Sequence, residues 1–189
     1  MNKKNSATTV KKNKLKEKTP NEVSQKEILA KIFIENSVKD YSIFSEINIL
    51  NRSIFFYGDV CDHEIERIIR YMEFFQVLDD KKDINLYINS SGGDGACCLK
   101  FYDALRSRIK VKVNTIVEGI SMSAATVMSI ATTGKRYITK NSTIMLHELS
   151  TYSYGKISDG KNRMKWGEDL QDIFYNIYIE HTNIKNKKQ

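Results

Sequence analysis

Ile84-Asn-Leu-Tyr-Ile-Asn-Ser-Ser-Gly-Gly-Asp-Gly95 is the stretch on which the fold turns. Ile84 to Ile88 predicts a strand, Asn89 to Gly95 a glycine-rich turn, and the residues from about Asp94 to Arg108 a helix. Upstream, Ser53-Ile-Phe-Phe-Tyr57 reads as a β-branched and aromatic strand closed by Gly58. His63 to Val77 carries Ile65, Ile68, Ile69, Met72 and Phe75 at helical spacing, and Asp79 to Asp83 is a polar turn. Downstream, Val111 to Val117 predicts a strand, Ser123 to Thr132 a helix of small residues, and Thr143 to Leu146 a short strand. A long helix is expected near Ser158 to His181, with Trp166, Leu170, Ile173, Phe174 and Ile177 on one stripe. Strands alternating with helices predict an α/β domain whose largely parallel strands are joined by right-handed crossovers. Chemistry in such sheets gathers at the carboxyl ends of the strands. Two segments read as loops leaving a strand there, Ser90 to Gly95 and Glu118 to Ser123.

The 189 residues allow one ordinary domain and a tail, and at 41% hydrophobic the chain can bury a core. The net charge of +7 suggests an anionic partner until it is mapped. Residues 1–30 hold eight Lys and three Glu, and residues 185–189 add three more Lys, so the remaining body carries a net −1. The body therefore gives no electrostatic reason to bind nucleic acid. Residues 1–28 hold few large apolar side chains and are expected to be a flexible basic tail, with the domain over 29–184 and a second basic end over 185–189. No apolar run approaches the roughly 20 residues of a membrane helix, and the N-terminus is polar where a signal peptide is apolar. A cytoplasmic protein without membrane contact is expected. Cys61 and the adjacent Cys97 and Cys98 lack metal-site spacing and read as reduced thiols engaged mainly in helix packing.

Gly92 and Gly93 follow a strand and precede a helix, so their amides could face a negative oxygen; a turn needing glycine torsions is the simpler reading of the loop alone. The sequence GGDG matches neither a dinucleotide fingerprint nor a phosphate-binding loop. Gly119-Ile-Ser-Met-Ser-Ala-Ala-Thr126 presents two serines where an acyl-transfer nucleophile could sit. Ser121 has the GxS spacing but lacks the second glycine; Ser123 sits closer to the helix start, and either could be only a cap. His147 ends a strand and could act as a general base. Glu148 follows it, but position 151 is Thr, so a zinc-binding HExxH is not formed and no metal is called for. His63 and His181 lie in helices without evident partners.

Four blocks occur in order: Ile88-Asn-Ser-Ser-Gly-Gly93, Gly119-Ile-Ser-Met-Ser-Ala-Ala125, Gly134-Lys-Arg-Tyr137 and Asn141-Ser-Thr-Ile-Met-Leu-His147. Together they resemble the signatures of the Clp-type serine peptidases, the ClpP family, from about Asn51 to about Thr182. The resemblance implies a ClpP/crotonase-like fold of repeated β-β-α units with a long handle helix. It implies Ser123 as nucleophile, His147 as general base, and the amides of Gly93 and Ala124 as the oxyanion hole. Substrate would lie along Gly92-Gly93 and the loop after His147 as an added strand. No cofactor is implied, ATP being used only by a partner unfoldase. The implied partners are unfolded polypeptides, copies of the chain in a heptamer or double heptamer, and that ATP-dependent unfoldase.

The chain departs from the family pattern at Ser91, where the family has proline, and at Ala124-Ala125, where it has Met-Gly; phage head-maturation peptidases are similar in the second respect. One residue is expected to be deleted between Ser123 and Gly134. The family's orienting aspartate lies beyond the handle, whereas Asp159, Asp169 and Asp172 lie in or beside it, so a C-terminal part is expected to be missing. In a serine-protease triad that loss costs about four orders of magnitude in rate. Four readings follow: a serine endopeptidase subunit, a weak or inactive paralogue with a structural role in the ring, a prohead maturation protease, and a crotonase-like acyl-CoA enzyme that would not need the Ser123 and His147 pair.

Overall fold

A computed structural model describes residues 24, 27, 28, 31, 46–151 and 155–185. The tail expected over 1–28 lies outside these residues except for Ser24, Glu27 and Ile28, and of the 185–189 end only Lys185 is described. Ser24 and Glu27 cap one another: the Glu27 N–H donates to Ser24 Oγ and the Ser24 N–H to Glu27 Oε2.

The elements in chain order are β1 (Ile47–Asn48), β2 (Ser53–Tyr57), α1 (Asp62–Leu78), β3 (Ile84–Ser90), α2 (Gly95–Ser107), β4 (Val113–Met122), α3 (Ala124–Ile130), β5 (Arg136–Ile138), β6 (Thr143–Met145) and α4 (Ile157–His181). One sheet runs β1-β2-β3-β4-β5, with β6 pairing further along β4. β1 is antiparallel to β2, and every other pairing is parallel. The fold is therefore the expected α/β architecture, with α1 and α2 as crossovers between parallel strands. Ile84, Leu86 and Ile88 of β3 alternate inward and are fully buried. They join Ile65, Ile69 and Met72 of α1, Phe101 and Leu105 of α2, and Val127 and Met128 of α3 in one core. Each such side chain contributes roughly 1.5–3 kcal/mol on burial.

Three sequence readings are corrected. The segment Glu118 to Ser123 is not a loop: β4 continues to Met122, and the register against β3 shifts between Ile88 and Ser90. The irregularity is bridged by Asn89, whose Oδ1 accepts from the Ile120 N–H at 3.1 Å. Gly119 and an acidic residue in mid-strand are what made the segment look like a loop.

The second correction concerns α4. Leu170, Phe174, Ile177 and Tyr178 are buried, but Trp166 is 53% and Ile173 45% exposed, so the apolar stripe is split between the core and an open face. The buried part packs on the start of α2, where a Cβ on Gly95 would stand 3.1 Å from Leu170 Cδ2. Tyr178 also hydrogen-bonds Thr126 of α3, oxygen to oxygen at 2.7 Å.

The third concerns His181, which does have partners. Arg106 Nη2 lies 2.8 Å and Tyr102 Oη 3.2 Å from His181 Nε2, while Arg136 Nη1 donates to the His181 carbonyl at 2.6 Å. The end of α4 is thus tied to α2 and to β5. Of the cysteines, Cys98 is buried and donates to the Ala124 carbonyl, Cys97 is half-buried, and Cys61 is exposed just before α1 rather than packed.

Arg52 closes the other end of the core. Its guanidinium is buried and donates to the carbonyls of Phe75, Asp79, Lys82 and Asp83 at the end of α1 and in the following turn, the Phe75 carbonyl also accepting the Asp79 N–H. Among the described residues no helix is long and apolar enough to cross a membrane.

Candidate active site

Parallel strands bring their carboxyl ends to one rim, and β3 and β4 leave it through unusual backbone. β3 ends at Ser90 and passes into Gly92 (φ +106°) and Gly93 (φ +145°). Both torsions lie where L side chains are strained, and both positions are also crowded. A Cβ at Gly93 would stand 2.4 Å from the Val60 carbonyl oxygen. The close approach is used: the Val60 N–H donates to the Gly92 carbonyl and the Asp94 N–H to the Val60 carbonyl, at 2.8 and 2.7 Å. Val60 and Gly93 thereby pair as a parallel bridge. The Gly93 N–H, lying between these two bonds, has no acceptor among the described residues. Val60 is a strut that sequence reading missed, because nothing local marks a residue 33 positions away as a partner.

Asp94 then caps α2, its carboxylate accepting from the Cys97 N–H at 2.9 Å. With Asp94 and the burial of the half-exposed side chain both disfavouring a thiolate, burial being the larger cause, the Cys97 thiol is pushed up to about 11. Cys98 is raised further by full burial. Neither thiol is an activated nucleophile.

The two serines separate clearly. Ser121 is fully buried, and its hydroxyl donates to the Ala125 carbonyl at 3.0 Å and lies 3.2 Å from Ser129 Oγ. It holds the start of α3. Ser123 occupies the N-cap position of α3 with φ 52° and ψ −129°, and its side chain makes no capping bond. Non-glycine residues in that region carry strain of about 1–3 kcal/mol, which persists only where the surroundings hold it. Here the Ser123 N–H donates to the Met145 carbonyl and the Ser123 carbonyl accepts from Thr126 Oγ1, at 3.0 and 2.6 Å. Backbone is held on both sides while the hydroxyl is left without a partner among the described residues. The next residue, Ala124, is the first of α3, so its N–H has no intrahelical acceptor and points out at the positive end of the helix.

Gly92 brings the two turns together. A Cβ there would stand 2.7 Å from Ser123 Cβ and 3.2 Å from the Ala124 nitrogen. The rim therefore collects the Ser123 hydroxyl, the Ala124 amide and the Gly92-Gly93 segment.

His147 reaches the same rim by another route. β6 pairs with the second half of β4, Met145 opposite Met122, and His147 follows two residues later. The ring is exposed, and among the described residues no hydrogen bond joins it to Ser123 or to a carboxylate. The segment 146–151 that carries it has no regular structure and is exposed except at Leu149. The Leu149 N–H donates to Gln171 Oε1 of α4 at 2.9 Å. Gln171 Nε2 in turn donates to Tyr175 Oη at 3.1 Å. No group of three His, Cys, Asp or Glu among the described residues could hold a metal.

Comparisons with known proteins point to one family. The Clp protease family model matches residues 35–188. ATP-dependent Clp protease proteolytic subunits from three strains of Dehalococcoides mccartyi, BAV1, 195 and CBDB1, are each 35% identical to this chain over 152 residues. The match covers 79% of this chain and 76% of each relative. A parallel α/β sheet, a family match over most of its length and relatives at this identity together make the chain a member of the Clp protease family.

Proposed function

We propose that the chain is a serine-type endopeptidase subunit in which Ser123 attacks the peptide carbonyl, His147 accepts the Ser123 proton, and the Gly93 and Ala124 amides stabilise the oxyanion. The observation that carries this reading is Ser123 itself: a serine held at positive φ on a strand-to-helix turn, its hydroxyl without a partner among the described residues, with the first amide of α3 beside it. His147 would return the proton to the leaving amine, and water activated by the same imidazole would release the acyl-enzyme. An extended polypeptide would pair with the Gly92-Gly93 segment as an added strand.

Ring assembly with further copies is part of the proposal. It is supported by apolar side chains left open on α4 and beside it, among them Ile157 at 82% and Met164 at 59% exposed, together with Tyr137 and Ile138 of β5. The relatives are named as subunits of an ATP-dependent protease, which supports an ATP-driven unfoldase as partner.

The test is a fluorophosphonate probe on the assembled protein, with assembly checked by native mass. Labelling at Ser123 that disappears in Ser123→Ala supports the enzyme. An assembled ring that takes no label sinks it and favours a non-catalytic ring subunit. That second reading draws on the exposed His147, which has neither Ser123 nor a carboxylate as a hydrogen-bond partner among the described residues.

A further inference from the structure

The segment that carries His147 is held at one point. From 146 to 151 the chain has no regular structure, and five of its six residues are exposed. Leu149 is the exception: its side chain packs against the core while its N–H donates to Gln171 Oε1 at 2.9 Å. That is the hydrogen bond fixing the segment among the described residues. Gln171 is itself held, because its amide nitrogen donates to Tyr175 Oη at 3.1 Å one turn further along α4. The tether is two residues from His147, so the φ and ψ angles of only His147, Glu148 and Leu149 separate the imidazole from a rigid helix. Resting on the proposed function, we propose that Gln171, backed by Tyr175, is a positioning residue for His147: it anchors the backbone of the base to α4 and so supplies orientation that no carboxylate among the described residues supplies to the ring.

The chemistry asks for an acceptor at this point. Leu149 is half-buried, so an unpaired N–H there would be costly, and the loop would move to satisfy it. A shift of about 1 Å in a general base costs on the order of 100-fold in rate. A glutamate at 171 keeps an acceptor oxygen in place, and the Tyr175 hydroxyl, which can donate as well as accept, can turn to serve it.

The experiment measures the rate of Ser123 phosphonylation by a fluorophosphonate, in which the serine oxygen bonds phosphorus and fluoride leaves, in the full chain for wild type, Gln171→Leu, Gln171→Glu and His147→Ala, and for Gln171→Leu combined with His147→Ala. Gln171→Leu is expected to slow phosphonylation about 10- to 100-fold. Gln171→Glu is expected to restore most of it. In the His147→Ala background Gln171→Leu is expected to change nothing further, because it acts through the imidazole. A Gln171→Leu protein phosphonylated at the wild-type rate overturns the inference, and so does a Gln171→Leu effect that persists undiminished without His147, which is what a general loss of structure would give. A wild type that takes no label is a different failure: it removes the proposed function and this inference with it.

Discussion

Gly92 and Ser123 share one small space, since a Cβ on Gly92 would lie 2.7 Å from Ser123 Cβ and equally close to the Met122 carbonyl oxygen. The two residues sit on different strand ends, so this contact is the joint between the turn after β3 and the turn after β4. Gly92 also holds φ +106°, so a side chain there meets both a clash and backbone strain. Gly92→Ala is expected to destabilise the fold by about 1–3 kcal/mol and to abolish fluorophosphonate labelling. Urea unfolding and labelling of the same preparation check it; an alanine variant with unchanged labelling would mean that the two turns move independently.

Ser123 stores strain that its hydroxyl does nothing to offset. Ser123→Ala leaves the backbone where it is and removes an unpartnered group, so its unfolding free energy should stay within about 0.5 kcal/mol of wild type. Ser123→Gly relieves the positive φ of 52°. The gain from relief exceeds the extra entropy of glycine in the unfolded chain, and the variant should be more stable by about 1 kcal/mol while taking no label. A glycine variant that melts below the alanine variant would contradict the strain argument.

Arg52 ties the turn after α1 to the core. Its buried guanidinium serves four carbonyl oxygens, and the ring of Phe75 lies 5.3 Å from the guanidinium carbon. Arg52→Met fills part of the volume but takes the Arg52 donors from the Asp79, Lys82 and Asp83 carbonyls, while the Phe75 carbonyl keeps the Asp79 N–H. A loss of about 3 kcal/mol is expected. Arg52→Lys restores the charge with a point donor in place of a planar fork and is expected to recover less than half of the loss. Chemical denaturation of the three proteins decides the order.

His181 sets the response to acid at the end of α4. Burial lowers its pKa below the ordinary 6.5, Glu180 opposes this, and Arg106 and Arg136 add to the lowering. A guanidinium only donates, so Arg106 at 2.8 Å requires Nε2 to accept and the ring to be neutral. The unfolded chain therefore binds a proton more readily than the folded one. This contribution to stability is complete above about pH 6.5, falls as the pH drops below it, and levels off under the folded value. Melting temperature against pH should lose part of its slope below about pH 6.5 in His181→Phe, and an unchanged slope would show that the groups around His181 do not couple to folding.

Most of the fold was legible in the chain because it is written in local periods. Ile65, Ile68, Ile69, Met72 and Phe75 repeat at the spacing of a helix face, and all five are buried on α1. Ile84, Leu86 and Ile88 alternate, and all three face inward. The errors arose where a residue's fate depends on something distant. Gly119 sits in a strand that a neighbouring side chain, Asn89, repairs. Trp166 and Ile173 obey the helical period, yet α4 turns only Leu170, Phe174, Ile177 and Tyr178 to the core.

The amino-acid sequence by itself determined the α/β order, the glycine turn, a helix of small residues beginning at about Ser123 and the ClpP resemblance, because these rest on near neighbours and on motif order. Ser121 and Ser123 both fit the local pattern and the resemblance implied Ser123; only the tertiary structure shows how differently the two hydroxyls are placed. Burial and two hydrogen-bond contacts occupy the first hydroxyl, whereas the second has no partner among the described residues. It alone brought Val60 to Gly93 and Gln171 to Leu149. Those contacts join residues 33 and 22 positions apart. Chain closure over such distances is set by how the whole core packs, and no local period records it.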